Sequence, residues 1–231
     1  MLKTSIVFIL RGIVYLFVAS LVYVLVCKWI FPPITITQIV SAAEGYSLQR
    51  DYVSWDDISP EVKLAAIASE DQLFPTHNGF DWKALEKSMD KQKAGHQKGT
   101  AASTISQQTA KNVFLWQGHG NAKYVRKGFE FIYTYLIEFV WGKKRILEVY
   151  LNVAEMGPGI FGIEAAANAY FKKPAKKLTA KEAAMIVACL PNPKKFTVKP
   201  ISKRVQWRYP NIQRQMNNLK GYHAVKELIY K

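Results

Sequence analysis

Four short blocks carry side chains whose types and spacing could do chemistry together. The first is Glu70-Asp71-Gln72-Leu73-Phe74-Pro75-Thr76-His77-Asn78-Gly79. The second is Ser103-Thr104-Ile105-Ser106-Gln107-Gln108-Thr109-Ala110-Lys111-Asn112. The third is Arg126-Lys127-Gly128-Phe129-Glu130. The fourth is Ile146-Leu147-Glu148-Val149-Tyr150-Leu151-Asn152, continuing through Gly157 and Gly162 to Tyr170-Phe171. Two carboxylates in different elements, such as Glu70 and Glu130, can divide acid–base labour in sugar transfer. On helices, Gln107 and Lys111 are i,i+4 neighbours, as are Arg126 and Glu130. Cations beside hydroxyl and amide donors are what a pyrophosphate leaving group requires. Each of these features also has an ordinary reading by itself. Glu-Asp at a helix end is usually solvated, an Arg–Glu pair can simply support its helix, Asn152 can cap a helix, and His77 can orient a loop.

Other matches carry less. Gly157-x-Gly159-x-x-Gly162 has the letters of a dinucleotide fingerprint, but that fingerprint needs a preceding strand and a βαβ unit. Here it follows a helical pattern, so the glycines read as a tight loop. Ser88-x-x-Lys91 matches the first element of serine acyl enzymes without the elements that should follow. His77, His96, His119 and His223 have no metal-ligand spacing.

The elements that must position these blocks read as helices. Ser59-Pro60-Glu61 starts one with a cap, a proline at the first position and an early acid. Asp81 caps a second over Trp82–Lys91. Thr104-x-x-Gln107 and Thr179-x-x-Glu182 are capping boxes, the second for a helix stopping at Pro191. Residues 123–141 have helical spacing and end at Gly142; 144–152 form another helix, and 202–218 a last basic one. Few strand signals remain, so the expected fold is mainly α. Phe114-Leu115-Trp116 and the aromatic helix 129–141 suit either an interfacial surface or ordinary core packing.

Residues 12–27 carry no charge, and the apolar run extends to Phe31 across Lys28. About 20 residues at ~1.5 Å rise cross a bilayer core of about 30 Å. Arg11 and Lys28 can snorkel at its edges. A cleaved signal peptide is the rival reading, with Val18-Ala19-Ser20 resembling a cleavage site. The expected organisation is a transmembrane anchor over 1–32, a juxtamembrane stalk or short strand over 33–55, a catalytic domain over 56–200, and a basic helical tail over 201–231 packed on that domain. The net charge is +15. Residues 33–231 hold 29 Lys and Arg against 17 Asp and Glu, an excess of +12 that attracts phosphorylated or other anionic partners. Cys27 and Cys189 fall in the apolar segment and a predicted core helix, which makes a disulfide improbable.

In this order and spacing the four blocks resemble the peptidoglycan glycosyltransferase family, the glycosyltransferase half of class A penicillin-binding proteins, over roughly residues 55–195. With one domain behind an anchor, the chain is similar to the monofunctional members. The resemblance implies a lysozyme-like, two-lobed helical fold with a cleft. It implies polymerisation of lipid II into β-1,4-linked glycan by inverting transfer, with release of undecaprenyl pyrophosphate. By the same resemblance Glu70 is the general base on the acceptor 4-hydroxyl. Glu130 is the second carboxylate, serving the donor pyrophosphate directly or through a divalent cation, Mg2+ or Mn2+. Lys111, Arg126 and Lys127 match the phosphate-binding cations. Ser103, Thr104, Gln107, Gln108 and Asn112 match the polar substrate face, and Asn152 joins the substrate-binding set. Asp71, Phe74, His77, Gly79 and Tyr150 match supporting positions. One departure is Ala101-Ala102, where the family commonly has a glycine before Ser-Thr. The implied partners are lipid II, the lipid-linked glycan chain, membrane lipid, and cell-wall synthesis or division proteins. No nucleotide and no nucleic acid are implied. The implied location is the inner membrane, single-pass, with a cytoplasmic N-terminus and a periplasmic catalytic domain. Two rivals remain at this stage: a lytic transglycosylase or lysozyme-like hydrolase, and a non-enzymatic, membrane-tethered polyanion-binding module.

Overall fold

A computed structural model describes residues 2–93, 103–116 and 120–231; the side chains of 2–6, 9, 10, 13 and 92 also fall outside that description. Ala101-Ala102, His96 and His119 lie outside the described residues. The chain forms two compact units, 1–33 and 34–231.

The first unit is built on α1 (Leu2–Val26), 25 residues with no acidic side chain in its first turn. Phe8, Val14, Tyr15, Leu16, Phe17 and Val18 all face outward. Among the described residues no helix is long and apolar enough to cross a membrane.

The second unit opens differently from the expected stalk. Residues 36–43 form helix α2 (Ile36–Ala43), because Thr35 and Gln38 make a capping box that the Thr-Ile alternation masks. Strand β1 (Gln49–Arg50) follows. Helix α3 (Pro60–Glu70) starts as its caps dictate, with the Ser59 hydroxyl accepting from the Glu61 N–H. It is buried on almost every side from Val62 to Ala68. Small residues at 65, 66 and 68 let α8 (Ala180–Val187) and α9 (Lys203–Leu219) pack closely against it. Each fully buried Val, Leu or Ile there contributes roughly 1.5–3 kcal/mol. Helix α4 (Trp82–Lys93) is capped by Asp81, which accepts from the Ala84 N–H at 2.9 Å. Helix α5 (Ile105–Phe114) carries the full Thr104–Gln107 capping box. It packs along α6 (Ala122–Val153), which breaks at Gly142 (φ 73°) into the two helical pieces the sequence predicts.

Between the pieces of this helical body sits a small sheet in the order β1-β3-β2, formed with β2 (Glu155–Gly157) and β3 (Ile160–Phe161). The β1–β3 pair is parallel and the β2–β3 pair antiparallel. The glycine triplet 157-159-162 therefore shapes the tight turn of an antiparallel hairpin entering α7 (Ile163–Phe171), not the βαβ unit that a dinucleotide fingerprint requires. At Gly162 (φ +84°) an added Cβ would lie 2.5 Å from the Asn152 carbonyl oxygen, so the close approach needs glycine. α8 carries the Thr179–Glu182 box but ends at Val187, four residues before the expected proline. α9 and α10 (His223–Tyr230) complete the unit, with α10 packed on α3 and α6.

The first piece of α6 answers both readings of its aromatics. Glu130, Thr134, Ile137 and Trp141 are buried, and Phe114 stacks on Tyr133 at 4.9 Å. Ile132, Tyr135 and Phe139 project outward, Phe139 with 82% of its surface exposed. Together with Phe80 and Trp82, Tyr135 and Phe139 line a groove of about 530 Å³.

One buried lysine tests the packing of this body. Lys63 on α3 lies with its ammonium 4.0 Å from the Trp55 ring centroid. Burial pushes it down to about 8, opposed by Asp56 and Glu148 and reinforced by Lys144 and Lys176. Its folded value lies below the unfolded one, so the unfolded chain binds more protons between pH 8 and 10.5. Folding stability from this group therefore rises with pH across that window. In paired melts, the wild type is expected to gain on Lys63→Met from pH 8 to pH 10; a constant difference would contradict the burial cost.

Candidate active site

Helix α3 ends at Glu70, and Asp71 leaves helical geometry (φ −164°). Glu70 is thereby set at the edge of the body with its side chain 12% exposed. Three of the described side chains bind it, and a fourth, Tyr150, holds one of the three. The Ser69 hydroxyl donates to Oε1 at 2.8 Å, Arg208 of α9 to Oε1 at 3.2 Å, and the Gln108 amide to Oε2 at 3.3 Å. The Tyr150 hydroxyl donates to the Gln108 carbonyl oxygen at 3.2 Å. Burial, reinforced by the Glu70 charge, holds the Tyr150 phenol well above its ordinary value, so it remains a donor.

A pocket of about 150 Å³ opens beside Glu70, lined also by Asp71, Asp81, Ser103 and Thr104. A second, of about 190 Å³, is lined by Phe80, Asp81, Ser103, Gln107 and Lys127. Asp81 and Ser103 belong to both, so one surface runs from Glu70 across the start of α5 to Lys127. A third pocket, of about 260 Å³, is lined by Gln108, Lys111, Asn112, Tyr150, Glu155 and Asn192.

The loop after Glu70 is tied down by Asp71. Its Oδ2 accepts from the Ile105 N–H at 2.9 Å, and both oxygens lie 3.0 Å from His77 Nε2. The Gly79 N–H donates to His77 Nδ1 at 3.1 Å, which assigns the ring proton to Nε2, the nitrogen facing Asp71. The Thr104 hydroxyl donates to the Gly79 carbonyl at 2.7 Å. Gly79 has φ +88°, and a Cβ there would meet Thr134 Cγ2 at 2.8 Å. Phe74 is fully buried beneath the loop, edge-on to His77 and under the Lys143 ammonium. Asp71, Phe74, His77 and Gly79 hold this loop against the body.

At the far end, Glu130 is buried, with 4% of its side chain exposed. Arg126 Nη1 donates to its Oε2 at 2.8 Å and Lys127 Nζ to its Oε1. Burial pushes the Lys111 ammonium below its ordinary value; Glu130 opposes that shift, while Arg126 and Lys127 add to it. Two cations thus bind one carboxylate, and a third, Lys111, feels its charge. This donor set does not suit a protein-held divalent cation, because both Glu130 oxygens already accept from cations and the surroundings are positive. Among the described residues no three His, Cys, Asp or Glu side chains gather as metal ligands.

A Transglycosylase family model matches residues 36–217. The chain belongs to the transglycosylase family. It is 49% identical over 194 residues to a biosynthetic peptidoglycan transglycosylase of Mannheimia succiniciproducens, covering 84% of this chain and 77% of that one. Proteins of the same name from Shigella boydii and Escherichia coli are 53% identical over 176 residues, 76% of this chain and 72% of theirs. In this transglycosylase the family match takes in α2 and almost all of α9, beyond the expected limits of the catalytic domain on both sides.

Two assignments within the transglycosylase site change. Asn152, expected to bind substrate, has no exposed surface. Its Oδ1 accepts from the Val53 N–H at 2.9 Å and its Nδ2 donates to the Val53 and Glu148 carbonyls at 3.0 and 2.8 Å. Such a side chain braces the segment before α3 and cannot reach the cleft. Replacing it with alanine leaves buried backbone groups unpaired, and urea unfolding is expected to show a loss of about 3 kcal/mol; an unchanged midpoint would return Asn152 to the substrate. Thr104 and Gln107 also spend part of their capacity on the α5 capping box.

The second change is an addition. Arg208, on the segment expected to be a tail, touches Glu70 directly. No local pattern around it signals that contact, which depends on α9 folding back onto α3. Glu155 is likewise new: burial raises its carboxyl above the ordinary value, opposed by the Gly159 N–H and Lys194.

Proposed function

We propose that the chain is a peptidoglycan glycosyltransferase that polymerises lipid II into β-1,4-linked glycan and releases undecaprenyl pyrophosphate. The observation that carries this reading is the single surface joining Glu70 to the Lys127–Glu130 pair across Ser103. Glu70 takes the proton of the acceptor 4-hydroxyl as that oxygen attacks the donor's anomeric carbon. The bond from that carbon to pyrophosphate breaks, its electrons leave with the phosphate oxygen, and configuration inverts. The cluster of Lys111, Arg126, Lys127 and Glu130 carries a formal charge of +2 from these residue types. A pyrophosphate diester carries two negative charges, so the complement is close. Any Mg2+ or Mn2+ in the reaction then travels with the pyrophosphate and not with the carboxylates.

The same reading places the enzyme at the inner membrane, with the catalytic unit in the periplasm. Support comes from the uncharged run 12–27 and the outward apolar side chains of α1. The exposed Ile132, Tyr135 and Phe139 stripe suits a bilayer interface where the lipid-linked substrates reside. Tethering there raises encounter frequency.

The test is a gel assay of glycan chains made from labelled lipid II by the full-length protein in vesicles. Polymer that lysozyme cuts to muropeptides is the expected product. Absence of polymer, together with release of soluble fragments from finished peptidoglycan, would assign the chain to the hydrolases instead.

A further inference from the structure

Glu70 is the last residue of α3. Its charge therefore sits where the unpaired carbonyls of a helix already create negative potential, a position that disfavours a carboxylate unless a cation faces it. Arg208 is that cation. It stands 138 positions further along the chain, on the buried side of α9, where Val205, Ile212 and Met216 lock the helix to the body. Its Nη2 donates to Ser69 Oγ at 2.8 Å and to Glu70 Oε1 at 3.2 Å, and reaches the Ser69 carbonyl at 3.4 Å. One guanidinium nitrogen thus serves the end of the helix and the carboxylate together.

The hydrogen bonds around Glu70 are uneven. Among the described residues, Oε1 accepts from both Ser69 and Arg208, whereas Oε2 accepts only the longer bond from Gln108. Ser69 Oγ is itself held by Arg208, so the guanidinium fixes Oε1 directly and through the hydroxyl. We infer that Arg208 is a positioning residue for glycosyl transfer: it pins Oε1 so that Oε2 is the oxygen presented to the acceptor hydroxyl. This rests on the reading of Glu70 as the general base. Lysine can restore the charge but not the shared geometry, since an ammonium on a flexible stem lacks the planar fork.

The experiment measures kcat and KM for lipid II polymerisation by the full-length wild type and by Arg208→Ala, Arg208→Lys, Glu70→Gln and Arg214→Ala. Arg214 is exposed on the same helix and serves as the control. Misplacing a reacting group by about 1 Å costs roughly 10²-fold. Arg208→Ala is accordingly expected to lose about that factor in kcat, with KM within about threefold of wild type. Arg208→Lys should recover part of the loss, and added guanidinium should raise the rate of the alanine variant. A wild-type kcat in Arg208→Ala, with Glu70→Gln inactive, would overturn the role of Arg208 and leave the base intact. A raised KM with preserved kcat would make Arg208 a substrate contact and also overturn it. Full activity of Glu70→Gln would instead remove the reading beneath. If the alanine variant does not fold, the lysine variant decides: kcat below wild type at unchanged KM supports the inference, and an unchanged kcat refutes it.

Discussion

Glu70→Gln is expected to reduce glycan polymerisation by about 10³-fold, the middle of the range a positioned base supplies. Glutamine keeps the shape of the side chain and its one oxygen can still accept from Ser69 and Arg208, while the Gln108 amide must turn its own oxygen toward the new NH2, so the site should stay assembled. What it loses is the ability to take a proton from the acceptor hydroxyl. The loss should therefore fall on kcat with KM little changed, the signature of an interaction made in the transition state. The ion pair with Arg208 is largely buried, so its loss should lower stability somewhat, but the guanidinium keeps neutral acceptors in Ser69 and the glutamine oxygen. A folded Glu70→Gln protein that makes polymer at the wild-type rate would remove Glu70 from the mechanism. Loss of fold without loss of specific activity in the remaining folded fraction would make the residue structural.

Lys111→Met separates activity from stability at the other end of the cleft. The ammonium is buried among Arg126 and Lys127 with Glu130 as the opposing charge, and burial lowers its proton affinity in the folded state. A folded value below the unfolded one means that this charge costs stability at neutral pH, a cost relieved as pH rises toward 10.5. Methionine keeps the aliphatic packing and removes the cost. The thermal midpoint at pH 7 is thus expected to stay level or rise, while turnover falls by about 10² to 10³-fold, comparable with removing one preorganised donor from a transition-state site. Glu130→Gln should behave in the opposite way for stability. It strips the partner from the largely buried Arg126 as well as from the half-exposed Lys127, and breaking such a buried pair costs about 3–5 kcal/mol. Both variants should be nearly inactive. If Lys111→Met lowered the midpoint and kept activity, the lysine would be a packing element and the pyrophosphate assignment would lose its central cation.

These contrasts follow from where the chain hides charge. Lys111 on α5 and Glu130 on α6 turn their charges toward the seam between the two helices, whereas Glu70 lies at the open edge of α3. A site that must bind a dianion and release it needs positive charge already desolvated and therefore already expensive. The cleft concentrates that expense at one end and leaves the proton-accepting end accessible.

The sequence by itself determined what depends on neighbours a few residues apart. Ser59, Asp81, Thr104 and Thr179 cap the helices they precede, because an N-cap bond reaches only two or three residues along the chain. Gly142 breaks α6 for the same local reason, since its φ of 73° is a glycine conformation. The four blocks were legible as chemistry because i,i+4 pairs such as Arg126 and Glu130 meet on any helix. Only the tertiary structure decided which polar groups face the cleft. Asn152 turns inward to the Val53 backbone, 99 residues away, and Arg208 reaches Glu70 across 138. Both contacts arise because α3 is wrapped on nearly every side, so that distant segments share its ends. No periodicity encodes that, because burial is a property of the packed body and not of the strip of residues that enters it.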